Sequence, residues 1–444
     1  MKKTFLVSAF MLAAASMAQA QFSWQTPPPE EPAPVKGAAV EKVVAYTAVA
    51  DWGTVVEKIE LTVKNEKLLK KLTAADFDIK NNAANTFFDI ETGLPTKEYT
   101  DDKISIEKNG KVLTITAKPF DAEGARNQFF RKDPWKVECT NPKLNFSAAD
   151  VNETHVGVID DCIKGEYTFG GITREYMLYL PKDENGNTIP NVPLFVWQIG
   201  GGEYNQSLMT VALANKCLAA LPQHGEKCAT LVFALANPNY SYSASLDPEK
   251  IKLVDLNNAL QMSFIDQLIA EGKVDGSKLF CAGASSGGGC TMRFMMQFAS
   301  RFKAAVPICA MDPIVPIHMV LREKPGTNSG EFTNQVEQVW RSNEAVYKWN
   351  GTSMELQPMD IEAFTKLPMY FVHALDDNTC SVLSTYIYSD ARKRLGAKDD
   401  IIRIYSDDDM RAYGFGGMLS HFSWCRMLND FGKGEAMDWL IKKF

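Results

Sequence analysis

Residues 278–294 read KLFCAGASSGGGCTMRF, and this stretch decides the fold. Lys278 to Ala282 is a short, apolar, strand-like run, and the residues from Gly287 onward read as the start of a helix. Between them lies Gly283-Ala-Ser285-Ser-Gly287, a G-x-S-x-G pattern. In a strand-to-helix context this pattern makes a tight turn that lifts a serine hydroxyl above the sheet. The glycines are there because the turn brings backbones too close for side chains, and the serine is held in a strained conformation. Ser285 is therefore the candidate nucleophile.

Working outward, the pattern on both sides alternates buried-looking strands with helices. The strand runs are 193–198, 230–234, 278–282, 304–309, 368–372 and 401–405. Helix-like stretches lie near 206–220, 252–272, 287–300, 383–394 and 434–443. Such alternation predicts a mostly parallel sheet with helices on both faces, from about residue 156 to residue 444. Residues 311–366 break the rhythm and read as an insertion over one end of the sheet, either surface decoration or a substrate-covering lid.

A serine needs a general base, and the chain has five histidines. His155, His224 and His318 lie away from the strand ends. His373 ends a strand, where a packed, hydrogen-bonded role is the commoner one. His421, in Leu419-Ser-His421-Phe-Ser-Trp424, follows every strand, and the order nucleophile, acid, histidine along the chain selects it. The acid that orients the imidazole should come from the loop His373-Ala-Leu-Asp376-Asp377-Asn378. Asp377 is preferred because it stands farther past the strand end; Asp376 competes with it as a solvent-facing turn residue. Backbone N–H donors for the oxyanion are expected from Ser286, directly after the nucleophile, and from Gly201 in Gly200-Gly-Gly202-Glu203, which follows an early strand. No histidine cluster of metal-binding type and no P-loop or dinucleotide fingerprint occurs, so the reading calls for no metal and no cofactor.

The first half reads differently. Residues 1–20 combine Lys2 and Lys3, an apolar run and Ala18-Gln19-Ala20, the anatomy of a cleaved secretory signal, which predicts a periplasmic or secreted protein. Its apolar run is too short to span a bilayer, and no later stretch is long enough. Residues 21–37 are a proline-rich linker, with five prolines between Thr26 and Pro34. From 38 to 155 short strands alternate, and Asn109-Gly110 sits between two of them as a hairpin turn; this predicts a small β-sandwich. The formal net charge of -7 excludes nucleic acid and anionic membrane surfaces as natural partners. Of the nine cysteines, Cys380 and Cys425 each follow a candidate catalytic residue, and a bridge between them would hold the two loops together.

From about Gly165 to Phe444 the chain resembles the extracellular esterase branch of the α/β hydrolases, which includes polyhydroxybutyrate-depolymerase-like and feruloyl-esterase-like proteins. The GGGE loop, the GASSGG turn, the Phe-Val-His-x-x-x-Asp-Asn stretch and the Ser-His-x-Ser-Trp ending carry the resemblance. The first half is similar to the immunoglobulin-like domain that precedes the hydrolase in some bacterial esterases. The resemblance implies an α/β hydrolase preceded by an Ig-like β-sandwich, with Ser285, Asp377 and His421 as its triad. It implies a carboxylesterase acting on a small-molecule or polysaccharide-linked ester through an acyl-enzyme. Two positions depart from the pattern: Ile199 stands where a histidine is usual, and Ala374 where a glycine is usual. Two other readings remain open: a serine peptidase of the prolyl-oligopeptidase type, for which the N-terminal region is too short to be a propeller, and a non-catalytic binding protein on a hydrolase scaffold.

Overall fold

The computed structural model describes residues 35–51, 53–80, 104–121, 135–204, 206–214, 216–235, 248–311, 329–413, 415 and 417–444. The leader and most of the linker lie outside these residues. The described chain divides into two compact units, one holding 35–161 with Met209–Lys216, the other Cys162–Leu208 with Cys217–Phe444.

In the first unit, apolar–polar alternation becomes strand pairing. Its strands are β1 (Val40–Ala50), β2 (Gly53–Val63), β3 (Phe77–Lys80), β4 (Ser105–Asn109), β5 (Val112–Asp121), β6 (Lys136–Cys139), β7 (Phe146–Ser147) and β8 (Glu153–His155). They form one sheet in the order β4-β5-β2-β1-β8 and a second in the order β3-β6-β7. The turn at Asn109-Gly110 joins β4 to β5, with Asn109 opposite Val112. Val43, Ile59, Leu61 and Leu113 of the larger sheet share one buried cluster with Phe77, Ile79, Val137 and Phe146 of the smaller. Each sheet thus covers the apolar face of the other.

The second unit is built on an eight-stranded sheet. Its strands are β9 (Ile163–Phe169), β10 (Ile172–Tyr179), β11 (Val192–Gln198), β12 (Ala229–Phe233), β13 (Val274–Ala284) and β14 (Ala304–Ile308), then a separate hairpin of β15 (Val346–Trp349) and β16 (Met354–Gln357), then β17 (Tyr370–Ala374) and β18 (Ile401–Tyr405). The sheet order is β18-β17-β14-β13-β11-β12-β10-β9. All neighbours are parallel except β10, which runs antiparallel to both β9 and β12. Strands β12, β14 and β17 are buried at every residue, which is why they read as unbroken apolar runs. From β11 the chain steps to β12 on one side, and from β13 to β14 on the other. The crevice beyond the carboxyl ends of β11 and β13 is therefore the topological switch point, where ligands bind in sheets of this kind.

Helices used below are α1 (Pro248–Ala270), α2 (Ser286–Phe298), α3 (Ser329–Trp340), α4 (Ile361–Lys366), α5 (Leu383–Leu395), α6 (Ser423–Met427) and α7 (Ala436–Ile441), beside shorter ones such as Asp407–Arg411. The helix expected over 206–220 is instead two short pieces, Leu208–Ala214 and Ala220–His224, with Pro222 inside the second. Among the described residues no helix is long and apolar enough to cross a membrane.

The described part of 311–366 is packed down on its neighbours. Trp340 of α3 is fully buried, stacks on Tyr388 of α5 and meets Phe364 of α4 edge-on. Arg293 of α2, also fully buried, is bound by Asp255 of α1 and donates to Ala345 O at 2.8 Å; Asp255 in turn accepts from Tyr347 N of β15 at 2.7 Å. One buried ion pair thus pins the β15–β16 hairpin to two helices. The bridge considered between Cys380 and Cys425 is not formed: both are buried thiols outside any disulfide, and the other cysteines are buried too apart from the half-buried Cys162. Cys380 turns instead toward the serine, with Sγ 3.8 Å from Ser285 Oγ.

Candidate active site

Strand β13 ends at Ala284 and α2 begins at Ser286, so Ser285 alone makes the turn. It does so at φ 58° and ψ -122°, a conformation that non-glycine residues adopt only when their surroundings enforce it. The enforcement is visible: Ser285 N donates to Ile308 O at 3.0 Å, and Ser285 O accepts from Met311 N at 3.0 Å. A Cβ on Gly287 would stand 2.1 Å from Gln198 O, and one on Gly283 would stand 2.5 Å from Gly287 O. No side chain fits at either place, which is the physical content of the G-x-S-x-G pattern.

The loop after β17 brings Asp377 to His421. Their bond, His421 Nδ1 to Asp377 Oδ2, is 2.8 Å long, and the Asp377 side chain is fully buried. Its other oxygen accepts from Thr379 N at 2.8 Å and Cys380 N at 2.9 Å. Burial works against the carboxylate charge, but His421 and His373 outweigh it and hold the Asp377 carboxyl well below the usual carboxylate range. Asp376, the competing acid, is exposed. His421 itself is nearly buried, with the Trp424 ring edge-on at 5.3 Å.

His373 is the packed, hydrogen-bonded strand-end histidine that its position suggested. It is fully buried, donates from Nε2 to Cys380 O at 3.0 Å, lies 3.3 Å from Asp377 Oδ2 and bonds Thr385 Oγ1 through Nδ1 at 2.9 Å. Asp377 is thus gripped from two sides, a link that sequence reasoning missed although His373 stands four residues before Asp377. Among the described residues the Ser285 hydroxyl makes its contact with Cys380 Sγ and has no hydrogen bond to His421. In an unliganded site such bonds are commonly long and close only around substrate.

Cys309 completes the surroundings, its Sγ accepting from Ser285 N at 3.3 Å. Ligand atoms of Cys309, Asp377 and His421 fall within 4.8 Å of one another, the set that could hold a metal. Burial, with the Asp377 charge adding to it, pushes the Cys309 thiol well up.

The glycine loop after β11 lies against the turn, where a Cβ on Gly201 would be 3.8 Å from Ser286 Cβ. Ile199, in place of the expected histidine, is buried and enters the core. Gly200 N is already bonded to Glu203 Oε2 at 2.6 Å, and Tyr204 OH reaches Ser286 Oγ at 3.0 Å. Neither Glu203 nor Tyr204 stood out in the sequence as a site residue.

With this geometry in place, comparison with known proteins is informative. The prolyl oligopeptidase family (Peptidase_S9) matches residues 258–409, about a third of the chain, a span that includes Ser285 and Asp377 and stops short of His421. No curated protein sequence matches the chain. Among solved structures, one described as a thermostable esterase is 17% identical with a TM-score of 0.58, over 91% of this chain and 99% of that one. A ferulic acid esterase is 14% identical (TM-score 0.41, 64% of this chain and 98% of that one), and Est1E from Butyrivibrio proteoclasticus is 13% identical (TM-score 0.36, 63% and 99%). At these identities the likeness is one of fold. The chain has the α/β-hydrolase fold and is a serine hydrolase.

Proposed function

We propose that the protein is an exported carboxylesterase whose nucleophile is Ser285, with His421 as general base and Asp377 as the acid that orients it. The observation that carries this reading is the 2.8 Å bond from His421 Nδ1 to a buried, ionised Asp377. That bond keeps the Nδ1 proton in place and leaves Nε2 as the basic nitrogen. In the reaction, Nε2 takes the Ser285 proton as Oγ bonds to the acyl carbon, and the carbonyl π pair moves onto oxygen. The Gly201 and Ser286 N–H groups bind that oxyanion. Collapse breaks the ester C–O bond, the alcohol leaves with the proton from His421, and water repeats the sequence to release the acid.

Ester over peptide is favoured by the resemblance of residues 165–444 to extracellular esterases and by the small two-sheet unit in front, which is no propeller. We take that unit to be the Ig-like domain of the same resemblance, and the leader to direct the chain to the periplasm or beyond. The Peptidase_S9 match keeps peptide cleavage as the second reading. The test is hydrolysis of p-nitrophenyl esters of increasing acyl length beside a peptide p-nitroanilide, with wild type and Ser285→Ala. Ester turnover lost in the variant supports the esterase; anilide cleavage alone would replace it with the peptidase.

A further inference from the structure

Gly200, Gly201 and Gly202 carry no side chains, and a loop of this composition loses more backbone entropy on ordering than any other. An oxyanion donor nevertheless has to stand within a few tenths of an ångström of its place. The loop must be held by its neighbours, and two contacts hold it. Glu203 closes it on itself, N donating to Gly200 O at 3.0 Å while Oε2 accepts from Gly200 N at 2.6 Å. The Gly200 N–H is spent in that bond, while Gly201 lies beside the nucleophile turn, where a Cβ would be 3.8 Å from Ser286 Cβ. Tyr204, the next residue, then crosses to α2, where its hydroxyl lies 3.0 Å from Ser286 Oγ and 3.6 Å from Cys290 Sγ. Burial pushes Cys290 up to about 12, so it remains a neutral S–H that can donate while Ser286 accepts.

We propose that Tyr204 is a positioning residue, a clasp between the glycine loop and the nucleophile turn that fixes the Gly201 and Ser286 N–H groups at one separation. Its hydroxyl meets Ser286 Oγ and Cys290 Sγ, one residue and five residues past Ser285. The clasp joins the two segments that supply the two oxyanion donors, and the catalytic consequence rests on the ester-hydrolase reading above. Ile199 pins the loop where it leaves β11; Tyr204 pins it at its far end.

The test has two arms on the full chain, using Tyr204→Phe, Ser286→Ala and the double variant. By hydrogen exchange, amides 200–204 should exchange faster in each single variant than in wild type, with thermal unfolding little changed. With p-nitrophenyl acetate, each single variant should lose about tenfold in kcat at constant KM, and the double variant no more than either single. Unchanged exchange, or a double loss equal to the product of the single losses, would overturn the clasp. Faster exchange in the variants, with no ester turnover even in wild type, would leave the clasp standing and remove the esterase reading instead.

Discussion

The site turns on a few atoms. Asp377 has both oxygens occupied, one by His421 and the other by two backbone N–H groups, while Asp376 next to it points into solvent. Asp377→Asn should therefore lower kcat by roughly three to four orders of magnitude with the fold intact, as loss of a triad acid does elsewhere, whereas Asp376→Asn should leave it within about twofold. Steady-state kinetics on the two variants distinguishes them, and equal losses would reassign the acid. The same contacts couple stability to pH. The folded Asp377 titrates below its unfolded value of about 4, so its ionisation stabilises the fold in full above about pH 4, and that contribution disappears as pH falls below it. The stability gap between wild type and Asp377→Asn, read by urea unfolding, should be widest near neutrality and close toward pH 2; a constant gap would contradict this. At this scale the pairing of Asp377 with His421 was legible, because chain order and loop position single those two residues out. Tyr204 and the second grip of His373 were not, because their partners are far away in sequence or defined only by side-chain direction.

Among the elements, the strand-to-helix turn bears the tightest packing. Gly287→Ala drives a Cβ to 2.1 Å from a backbone oxygen of β11, a clash the backbone can relieve only by separating the turn from its neighbour strand. A loss of about 3 kcal/mol or more in chemical denaturation, together with loss of activity, is expected. The Asp255–Arg293 pair makes a second element-level prediction. Asp255→Ala strands a fully buried guanidinium and frees the β15–β16 hairpin, which should cost about 3–5 kcal/mol. Calorimetry on this variant checks it, and a near-neutral result would mean the hairpin is not anchored there. The central strands were readable as apolar runs since both faces are covered. The β9–β10 hairpin escaped notice because its strands lie at the sheet edge, where half-exposed residues dilute the pattern; the Gly170-Gly171 turn was the available signal. The β15–β16 hairpin, inside a polar insertion, had no periodicity to betray it.

On the scale of the whole chain, a two-sheet β unit is followed by an α/β unit, and every residue proposed for the chemistry belongs to the second. The first unit contributes His155 as its single histidine. The sequence pattern changes near residue 156, and the first compact unit runs on to Asp161. Short helices and the return of 209–216 to the first unit carry no periodic signature, which is why the 206–220 stretch was read as one helix. The central claim, that one serine at the switch point of the sheet does the chemistry, has a direct test. The intact protein is treated with a fluorophosphonate, which phosphonylates only an activated serine, and the adduct is mapped by peptide mass spectrometry. One adduct per chain on Ser285, abolished in His421→Ala and accompanied by complete loss of turnover, is the predicted result. An adduct on any other residue, or turnover that survives full labelling, would contradict it.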